Sequence, residues 1–144
     1  MEHLPIFLDV RGKRTLIVGN GVTAARKADL LLRAGSDLTI VTPELGDELS
    51  QLVGSFRFTH QPTALQAADL DGCLLAFGCA SDDADNQHLR KLAAAAGIMV
   101  NVSDRTADCD FSMPAIRDRS PLLIAISRGG ASPLLVRMLK ARFE

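Results

Sequence analysis

The stretch Thr15-Leu-Ile-Val-Gly-Asn-Gly-Val-Thr-Ala-Ala-Arg-Lys-Ala28 decides the fold class of this chain. Its first part is apolar and favours a β-strand, and a G-x-G-x-x-A pattern formed by Gly19, Gly21 and Ala24 follows at once. A pattern of helical period, rich in alanine and leucine, begins directly afterwards. Strand, glycine turn and helix in this order indicate a dinucleotide-binding turn. A tight β–α turn that binds nothing is the alternative for the motif alone.

Each small residue of this motif has a physical role in holding a dinucleotide. Gly19 permits the tight turn, Gly21 lets the backbone approach a pyrophosphate, and Ala24 lets the helix pack closely on the strand. The free N–H groups at the start of the helix attract phosphate. The residues predicted to bind the cofactor here are Gly19, Asn20, Gly21, Val22, Thr23 and Ala24.

The chain up to residue 110 alternates short apolar strands with helices. The hydrophobic pattern predicts strands over residues 15–18, 38–41, 55–60, 73–79 and 98–102, and helices over about 22–34, 43–52 and 84–96. Residues 62–68 fit only a poor helix or a loop. Ser81 or Asp82 could cap the helix that begins near residue 84. This alternation predicts an α/β domain over residues 1–110 with a Rossmann-like, doubly wound parallel sheet.

Ligands of such sheets bind at the carboxyl ends of the strands, so the loops there complete the predicted cofactor site. The additional residues are Thr42, Pro43 and Glu44 after the second strand, and Cys79 and Ala80 after the fourth. An acid usually follows the second strand to hold the ribose 2′-OH. The first acid here is Glu44, so either its carboxylate or the backbone near Thr42 and Pro43 takes that role. No Lys or Arg follows this strand closely, which favours NAD over NADP.

Asp104 follows the fifth strand at the same predicted rim. A carboxylate there could exchange a proton with a bound substrate, but position alone favours a structural role for Asp104. That structural role is to cap a helix or a turn. Asp108 and Asp110 are nearby competitors.

Residues 111–144 break the alternating pattern. Residues 111–116 and 122–126 read as two strands of a hairpin, and Ser132-Pro133 marks the start of a last helix. An isolated hairpin is only marginally stable. We therefore expect a dimerisation arm that pairs with a second copy of the chain across a two-fold axis. Packing of the arm on its own sheet is the alternative.

Composition limits the class of protein. The 144 residues are 47% hydrophobic and carry a net charge of −1, which argues against binding to nucleic acid. Cys73, Cys79 and Cys109 are odd in number and lack C-x-x-C spacing, so we expect reduced thiols and no metal site. The first residues lack a signal-peptide pattern, and no apolar run reaches membrane-spanning length. A cytoplasmic protein without a membrane partner is expected.

Seven short motifs together resemble one known family. They are Leu4-Pro-Ile-Phe7, Leu16-Ile-Val-Gly-x-Gly21, Arg26-Lys-Ala28, Asn101-Val-x-Asp104, Phe111-x-Met-Pro114, Asp118-Arg-Ser-Pro121 and Ser127-x-Gly-Gly-x-Ser-Pro133. On these motifs the chain resembles the N-terminal module of siroheme synthase, the precorrin-2 dehydrogenase/sirohydrochlorin ferrochelatase family. The resemblance runs from the first residues to the last.

The resemblance implies NAD-dependent oxidation of precorrin-2 to sirohydrochlorin, followed in the family by insertion of ferrous iron, a substrate metal, to give siroheme. It gives Asp104 the role of general acid/base and implies a homodimer whose arms, residues 111–144, help to build the active site. The substrate is a tetrapyrrole with many carboxylates, so its candidate partners are Arg105, Arg117, Arg119 and Arg128.

Family members typically continue into a small helical region that follows the arm, and this sequence ends at Glu144. Chelatase activity is therefore a weaker expectation than NAD binding. A regulatory module that senses NAD, or a catalytically inactive binding module, is the alternative function.

Overall fold

The computed structural model describes residues 1–127, Met138 and residues 141–142. The chain divides into two compact units: a larger one, Leu8–Phe111, and a smaller one that combines Met1–Phe7 with Ser112–Glu144. The proposed boundary after residue 110, and the role of residues 111–144 as a dimerisation arm, stay predictions.

The larger unit is a parallel α/β sheet. Its elements in chain order are β1 (Arg14–Val18), α1 (Val22–Arg33), β2 (Asp37–Val41), α2 (Asp47–Leu52), β3 (Thr59–Gln61), a 3₁₀ turn (Ala67–Leu70), β4 (Cys73–Gly78), α3 (Asp83–Ala96) and β5 (Met99–Val102). The five strands pair in parallel in the order β3-β2-β1-β4-β5. The strand order reverses beside β1, which is the point where doubly wound sheets bind ligands. The predicted Rossmann-like fold is confirmed.

The core explains why β1 lies at the centre of this sheet. Ile17 packs into a buried cluster with residues of α1 and α2, including Ala28 and Leu49. Leu16 packs on the opposite face with Leu89 of α3. Helices thus cover both faces, as a strand with an uninterrupted apolar run requires. Each large side chain that is fully buried contributes about 1.5–3 kcal/mol.

Two predicted boundaries in the larger unit are wrong. Helix α2 begins at Asp47, not at residue 43, because the preceding loop is bonded to the glycine turn: Asn20 Nδ2 donates to the Glu44 carbonyl oxygen (2.9 Å). Strand β3 is Thr59–Gln61, not residues 55–60. The amide of Phe56 instead donates to the Leu52 carbonyl oxygen (2.9 Å) and continues the turn that ends α2.

The predicted cap of α3 is confirmed for one of its two candidates. The Asp82 carboxylate accepts a hydrogen bond from the Ala84 amide (2.9 Å) and begins the helix, while Gly97 ends it with φ of 71°. Gly97 adopts the left-handed conformation that glycine favours at this position.

The smaller unit contains the predicted hairpin. Strands β6 (Ala115–Arg119) and β7 (Leu122–Ile126) pair in antiparallel fashion, and the Ser120–Pro121 peptide in their turn is cis. The first strand begins at Ala115, four residues later than predicted. The predicted last helix lies outside the described residues, except that Met138, Ala141 and Arg142 are helical. Within the described part of the chain, no helix is long and apolar enough to cross a membrane.

Candidate functional site

The loops that follow β1, β2, β4 and β5 lie side by side at one edge of the larger unit. Backbone bonds continue the ladder beyond the strand ends: Gly19 N–H donates to the Val41 oxygen (3.1 Å) and Cys79 N–H to the Val18 oxygen (2.7 Å). Ser103 N–H likewise donates to the Gly78 oxygen (2.9 Å). These bonds bring together the four loops that the sequence predicted for the ligand.

Gly19 lies where only glycine fits. Its φ is 130°, and an added Cβ would come less than 3.0 Å from the carbonyl of Cys79 and the amide nitrogen of Ala80. The Asn86 side chain fixes this neighbouring loop, because it accepts from the Ala80 amide (3.0 Å) and donates to the Ala80 oxygen (3.0 Å). The turn after β1 and the loop after β4 are therefore in direct backbone contact.

Gly21 differs from Gly19 because its backbone is ordinary and the space beside it is open. Its φ is −87°, and an added Cβ would meet no atom within 4 Å. Gly21 is the N-cap of α1, the first turn has no acidic residue, and no side chain caps it in the described structure. The open space and the uncapped N–H groups fit the pyrophosphate of a dinucleotide. Ala24 is fully buried, as its predicted role in helix packing requires.

The loop after β2 is bonded to the glycine turn. Two side chains, Asn20 and Thr42, donate to the Glu44 carbonyl oxygen at 2.9 and 3.0 Å. Gly46 packs closely against Asn20, so that an added Cβ would lie 2.5 Å from the Asn20 backbone carbonyl oxygen. Pro43 and Glu44 are exposed, while Thr42 is buried. The exposed Glu44 carboxylate is therefore available to a ligand, whereas Thr42 acts within the loop.

Asp104 stands at the tip of the loop that follows β5. It is exposed and has φ of 62°, the one positive φ outside glycine within the described residues. A left-handed backbone costs an L-residue roughly 1–2 kcal/mol, and such conformations cluster at functional sites. Within the described part of the chain, no hydrogen bond or ion pair involves the Asp104 carboxylate.

The competing acids in this loop have structural partners. Asp110 Oδ2 accepts from the Val100 amide (2.9 Å) and pairs with Arg90 (3.2 Å). Asp108 Oδ2 accepts from the side chain of Gln87 (3.0 Å). Both carboxylates hold the loop against β5 and α3, which leaves Asp104 as the acid that is available for chemistry.

The four candidate arginines belong to different parts of the chain. Arg105 pairs with Asp83 at the start of α3 (2.6 Å). Arg117 and Arg119 belong to β6 in the smaller unit, and Arg128 lies outside the described residues. Their contact with substrate stays a prediction, as do the roles of Asp104 and of the cofactor-binding residues.

Sequence reasoning missed Lys27. Its Nζ donates to Asn101 Oδ1 (2.5 Å) and Ser103 Oγ (3.0 Å) and lies 5.2 Å from the centre of the Phe77 ring. The helical period could have indicated that Lys27 faces the core. Residues three and four apart share a helix face, and Lys27 has these spacings from the buried Ala24 and Leu31.

The thiols at the two ends of β4 are not activated: Cys79 follows the strand at the rim, and Cys73 begins it at the opposite edge of the sheet. Burial raises the pKa of the Cys79 thiol, and the neighbouring Lys27 ammonium and Ser103 hydroxyl offset only part of that effect. Burial also raises the pKa of Cys73. Both thiols therefore stay protonated at neutral pH and are poor nucleophiles. Among the residues that the structure describes, no group of three or more His, Cys, Asp or Glu side chains could hold a metal ion.

Comparisons with known proteins agree with this geometry. The family model described as "Putative NAD(P)-binding" matches residues 6–115. Siroheme synthases from Nitrosococcus oceani and Thiobacillus denitrificans are 40% and 44% identical over the whole chain. The chain spans about a third of the length of these curated relatives, 31% and 30% respectively.

A solved structure is also similar. The precorrin-2 dehydrogenase SirC superposes with a TM-score of 0.81 and 26% identity, over 98% of this chain and 69% of SirC. The resemblance to siroheme synthase is thereby confirmed at the level of homology. The family model covers most of the length of this chain, so the chain belongs to the NAD(P)-binding family, and its homologues include siroheme synthases.

Proposed function

We propose that this chain catalyses the NAD-dependent oxidation of precorrin-2 to sirohydrochlorin. The observation that carries the proposal is a free, exposed carboxylate, Asp104, on the same edge of the sheet as the open glycine turn. The substrate is suggested by SirC, a precorrin-2 dehydrogenase whose structure matches 98% of this chain.

The residues of the glycine turn would hold the dinucleotide. Gly21 and the first N–H groups of α1 would bind the pyrophosphate, and Glu44 would bind the ribose of the adenosine. The exposed carboxylate of Glu44 would repel a 2′-phosphate, and residues 42–48 contain no Lys or Arg, so NAD is favoured over NADP. Bound NAD supplies a hydride acceptor; the protein binds and orients it.

Asp104 would take the proton that the oxidation releases. Conversion of precorrin-2 to sirohydrochlorin removes a hydride and a proton from the substrate, and the ionised carboxylate of Asp104 would accept that proton. A positioned general base typically contributes a factor of about 10²–10⁴ to the rate. Its position at a loop tip between two anchored segments leaves it exposed to a large substrate while its backbone stays fixed.

A second reaction would follow at the same carboxylate. Insertion of ferrous iron as a substrate releases two protons from the ring nitrogens of sirohydrochlorin, and Asp104 would accept protons in this step as well. Arg105, Arg117, Arg119 and Arg128 would pair with the carboxylates of the tetrapyrrole.

The proposal also includes a cytoplasmic homodimer formed through residues 111–144. Support comes from β7, where Leu122 and Leu123 are 59% and 46% exposed. Successive side chains of a strand point to opposite faces, so each face of this two-stranded hairpin carries an exposed leucine that a second copy could cover.

The test is an anaerobic incubation of the purified chain with NAD and precorrin-2, in which NADH formation is followed by absorbance. Asp104→Asn keeps the shape of the side chain and removes its basicity, so we expect turnover to fall by at least about 100-fold while the Kd for NAD is unchanged. Asp108→Asn is the matched control in the same loop and should retain turnover.

Two results would contradict the proposal. A folded protein that binds NAD and forms no NADH is what a sensor or an inactive binding module would give. Normal turnover of Asp104→Asn would refute the role assigned to this carboxylate.

A further inference from the structure

We propose that Lys27 is a positioning residue that joins the dinucleotide-binding helix to the turn that carries Asp104. The inference about the rate rests on the proposed function. The structural connection itself can be tested without any turnover.

Lys27 lies in the second turn of α1, and its side chain reaches the end of β5. Its ammonium donates to two side chains there, Asn101 Oδ1 at 2.5 Å and Ser103 Oγ at 3.0 Å. The same ammonium lies 5.2 Å from the centre of the Phe77 ring in β4. One cation therefore links the helix that follows the glycine turn with two neighbouring strands.

The surroundings of this cation are unusual for a lysine. Lys27 is half-buried, and within the described residues none of its bonds is to a carboxylate. Removing an ammonium from water is costly, and long lysine side chains usually extend their charge into solvent. An apolar residue at this position would stabilise the fold without the free-energy cost of removing a charge from water. Two neutral partners at hydrogen-bond distance point to a role in orientation.

The contact reaches Asp104 through Ser103. All the polar groups of Ser103 other than its carbonyl have partners: its hydroxyl accepts from Lys27 and donates to Cys79 Sγ (3.5 Å). Its amide donates to the Gly78 oxygen (2.9 Å). Asp104 follows immediately, in the left-handed conformation. The direction in which Asp104 leaves the sheet is thus set by a residue that Lys27 holds.

The second partner of Lys27 holds the other end of the same loop. Asn101 is buried, and its Nδ2 donates to the Phe111 carbonyl oxygen (2.9 Å) while its Oδ1 accepts from Lys27. The ring of Phe111 packs edge-on against Phe77 with centroids 5.5 Å apart. The ammonium therefore stands where both ends of the loop 101–111 meet.

Loss of this connection should affect the rate more than cofactor binding. The N-terminus of α1 would remain, with its open space at Gly21, so the proposed pyrophosphate site would be unchanged. The Asp104 turn would lose one of its anchors, and a misplacement of about 1 Å at a reacting group can cost about 10²-fold in rate.

Lys27→Met tests the inference because it keeps most of the apolar stem and removes the ammonium. Arg26→Met is the matched control, since Arg26 is the adjacent residue of α1 and is exposed. Four quantities are measured for each variant: amide hydrogen exchange of residues 102–105, the Kd for NAD, kcat with precorrin-2, and the thermal midpoint. A double variant, Lys27→Met with Ser103→Ala, measures the coupling between the two side chains.

We expect Lys27→Met to speed exchange at Ser103 and Arg105 by at least about tenfold and to lower kcat by about 10- to 100-fold. Its Kd for NAD should stay within roughly threefold of the wild-type value. The kcat of the double variant should lie within about twofold of the kcat of Lys27→Met, because both changes break the contact between Lys27 and Ser103. If Lys27→Met does not fold, Ser103→Ala removes one of the two acceptors of the ammonium and should also speed exchange at residues 102–105.

Unchanged exchange at residues 102–105 would overturn the inference, and so would equal acceleration in Arg26→Met. A loss of NAD affinity as large as the loss of kcat would also overturn it. A wild-type protein that binds NAD but forms no NADH would refute the proposed function; the exchange data would still decide whether Lys27 holds the turn.

Discussion

Replacing Gly21 with alanine should separate binding of the cofactor from folding. The φ of Gly21 is −87°, and an added Cβ meets no atom within 4 Å, so the folded chain can accept a methyl group there. Alanine is a poorer N-cap than glycine by up to about 1 kcal/mol. Alanine also lowers the conformational entropy of the unfolded chain, which stabilises the folded state by about 0.4–1 kcal/mol. The free energy of unfolding should therefore change by less than about 1 kcal/mol.

The same methyl group would occupy the space in which we place the pyrophosphate. We expect the Kd for NAD to rise at least about tenfold, which corresponds to 1.4 kcal/mol. Gly19→Ala is the companion variant. Its Cβ would lie less than 3.0 Å from the Cys79 carbonyl, at a φ of 130°. The backbone strain costs about 1–3 kcal/mol and the overpacking about 1–3 kcal/mol more, so the free energy of unfolding should fall by about 2–6 kcal/mol.

Thermal unfolding and NAD titration distinguish the two variants. In a domain of about 100 residues, 1 kcal/mol shifts the midpoint by about 4–8 °C, so Gly19→Ala should melt at least about 8 °C below the wild type. Gly21→Ala should melt close to the wild type and bind NAD poorly. Wild-type affinity in a folded Gly21→Ala protein would refute the placement of the pyrophosphate on α1. Equal midpoints for the two variants would refute the close packing at Gly19.

Three further predictions concern stability and assembly. Asn86→Ala removes both bonds to Ala80 and should lower the free energy of unfolding by about 2–3 kcal/mol in urea titrations. Gln87→Ala removes one side-chain bond among the described residues, the bond to Asp108, and should lower the free energy of unfolding by less than about 1 kcal/mol. The fold raises the pKa of Cys79 above the ordinary thiol value of 9.0, so stability should be level below that pH and fall as the pH rises through it. The slope is at most about 1.4 kcal/mol per pH unit, and a Cys79→Ala variant should show a smaller decline. Sedimentation at micromolar concentration should give a dimer; a monomer alone would contradict the role proposed for residues 111–144.

Local sequence patterns were sufficient to predict the elements that are stabilised by residues close together in the chain. The apolar run of β1, the glycine turn and the alanine-rich start of α1 are neighbours in the chain, so their order indicates their structure. Asp82 and Gly97 bound α3 through bonds and dihedral angles within a few residues. These features needed no knowledge of distant partners.

The boundaries that were wrongly predicted depend on partners far along the chain. The start of α2 is delayed by a bond between Asn20 and the backbone of Glu44, 24 residues away. Proline and an acid at residues 43–44 are good helix starters locally, and a tertiary contact overrides them. The first strand of the hairpin was extended too far for a different reason, since an extended lead-in and a paired strand have the same sequence pattern.

The sequence by itself determined the class of fold and the glycine turn, and Asp104 became the candidate acid through the resemblance of its motifs to one family. Hydrophobic periodicity and small residues act over one or two turns of chain, and such effects are visible in a linear string. Only the tertiary structure decided which acids of the 101–111 loop are already bonded and how Lys27, 74 and 76 residues from its partners Asn101 and Ser103, reaches them. The physical reason is that hydrogen bonds and burial depend on distances in space, and the sheet fixes those distances only when its strands assemble in the order β3-β2-β1-β4-β5.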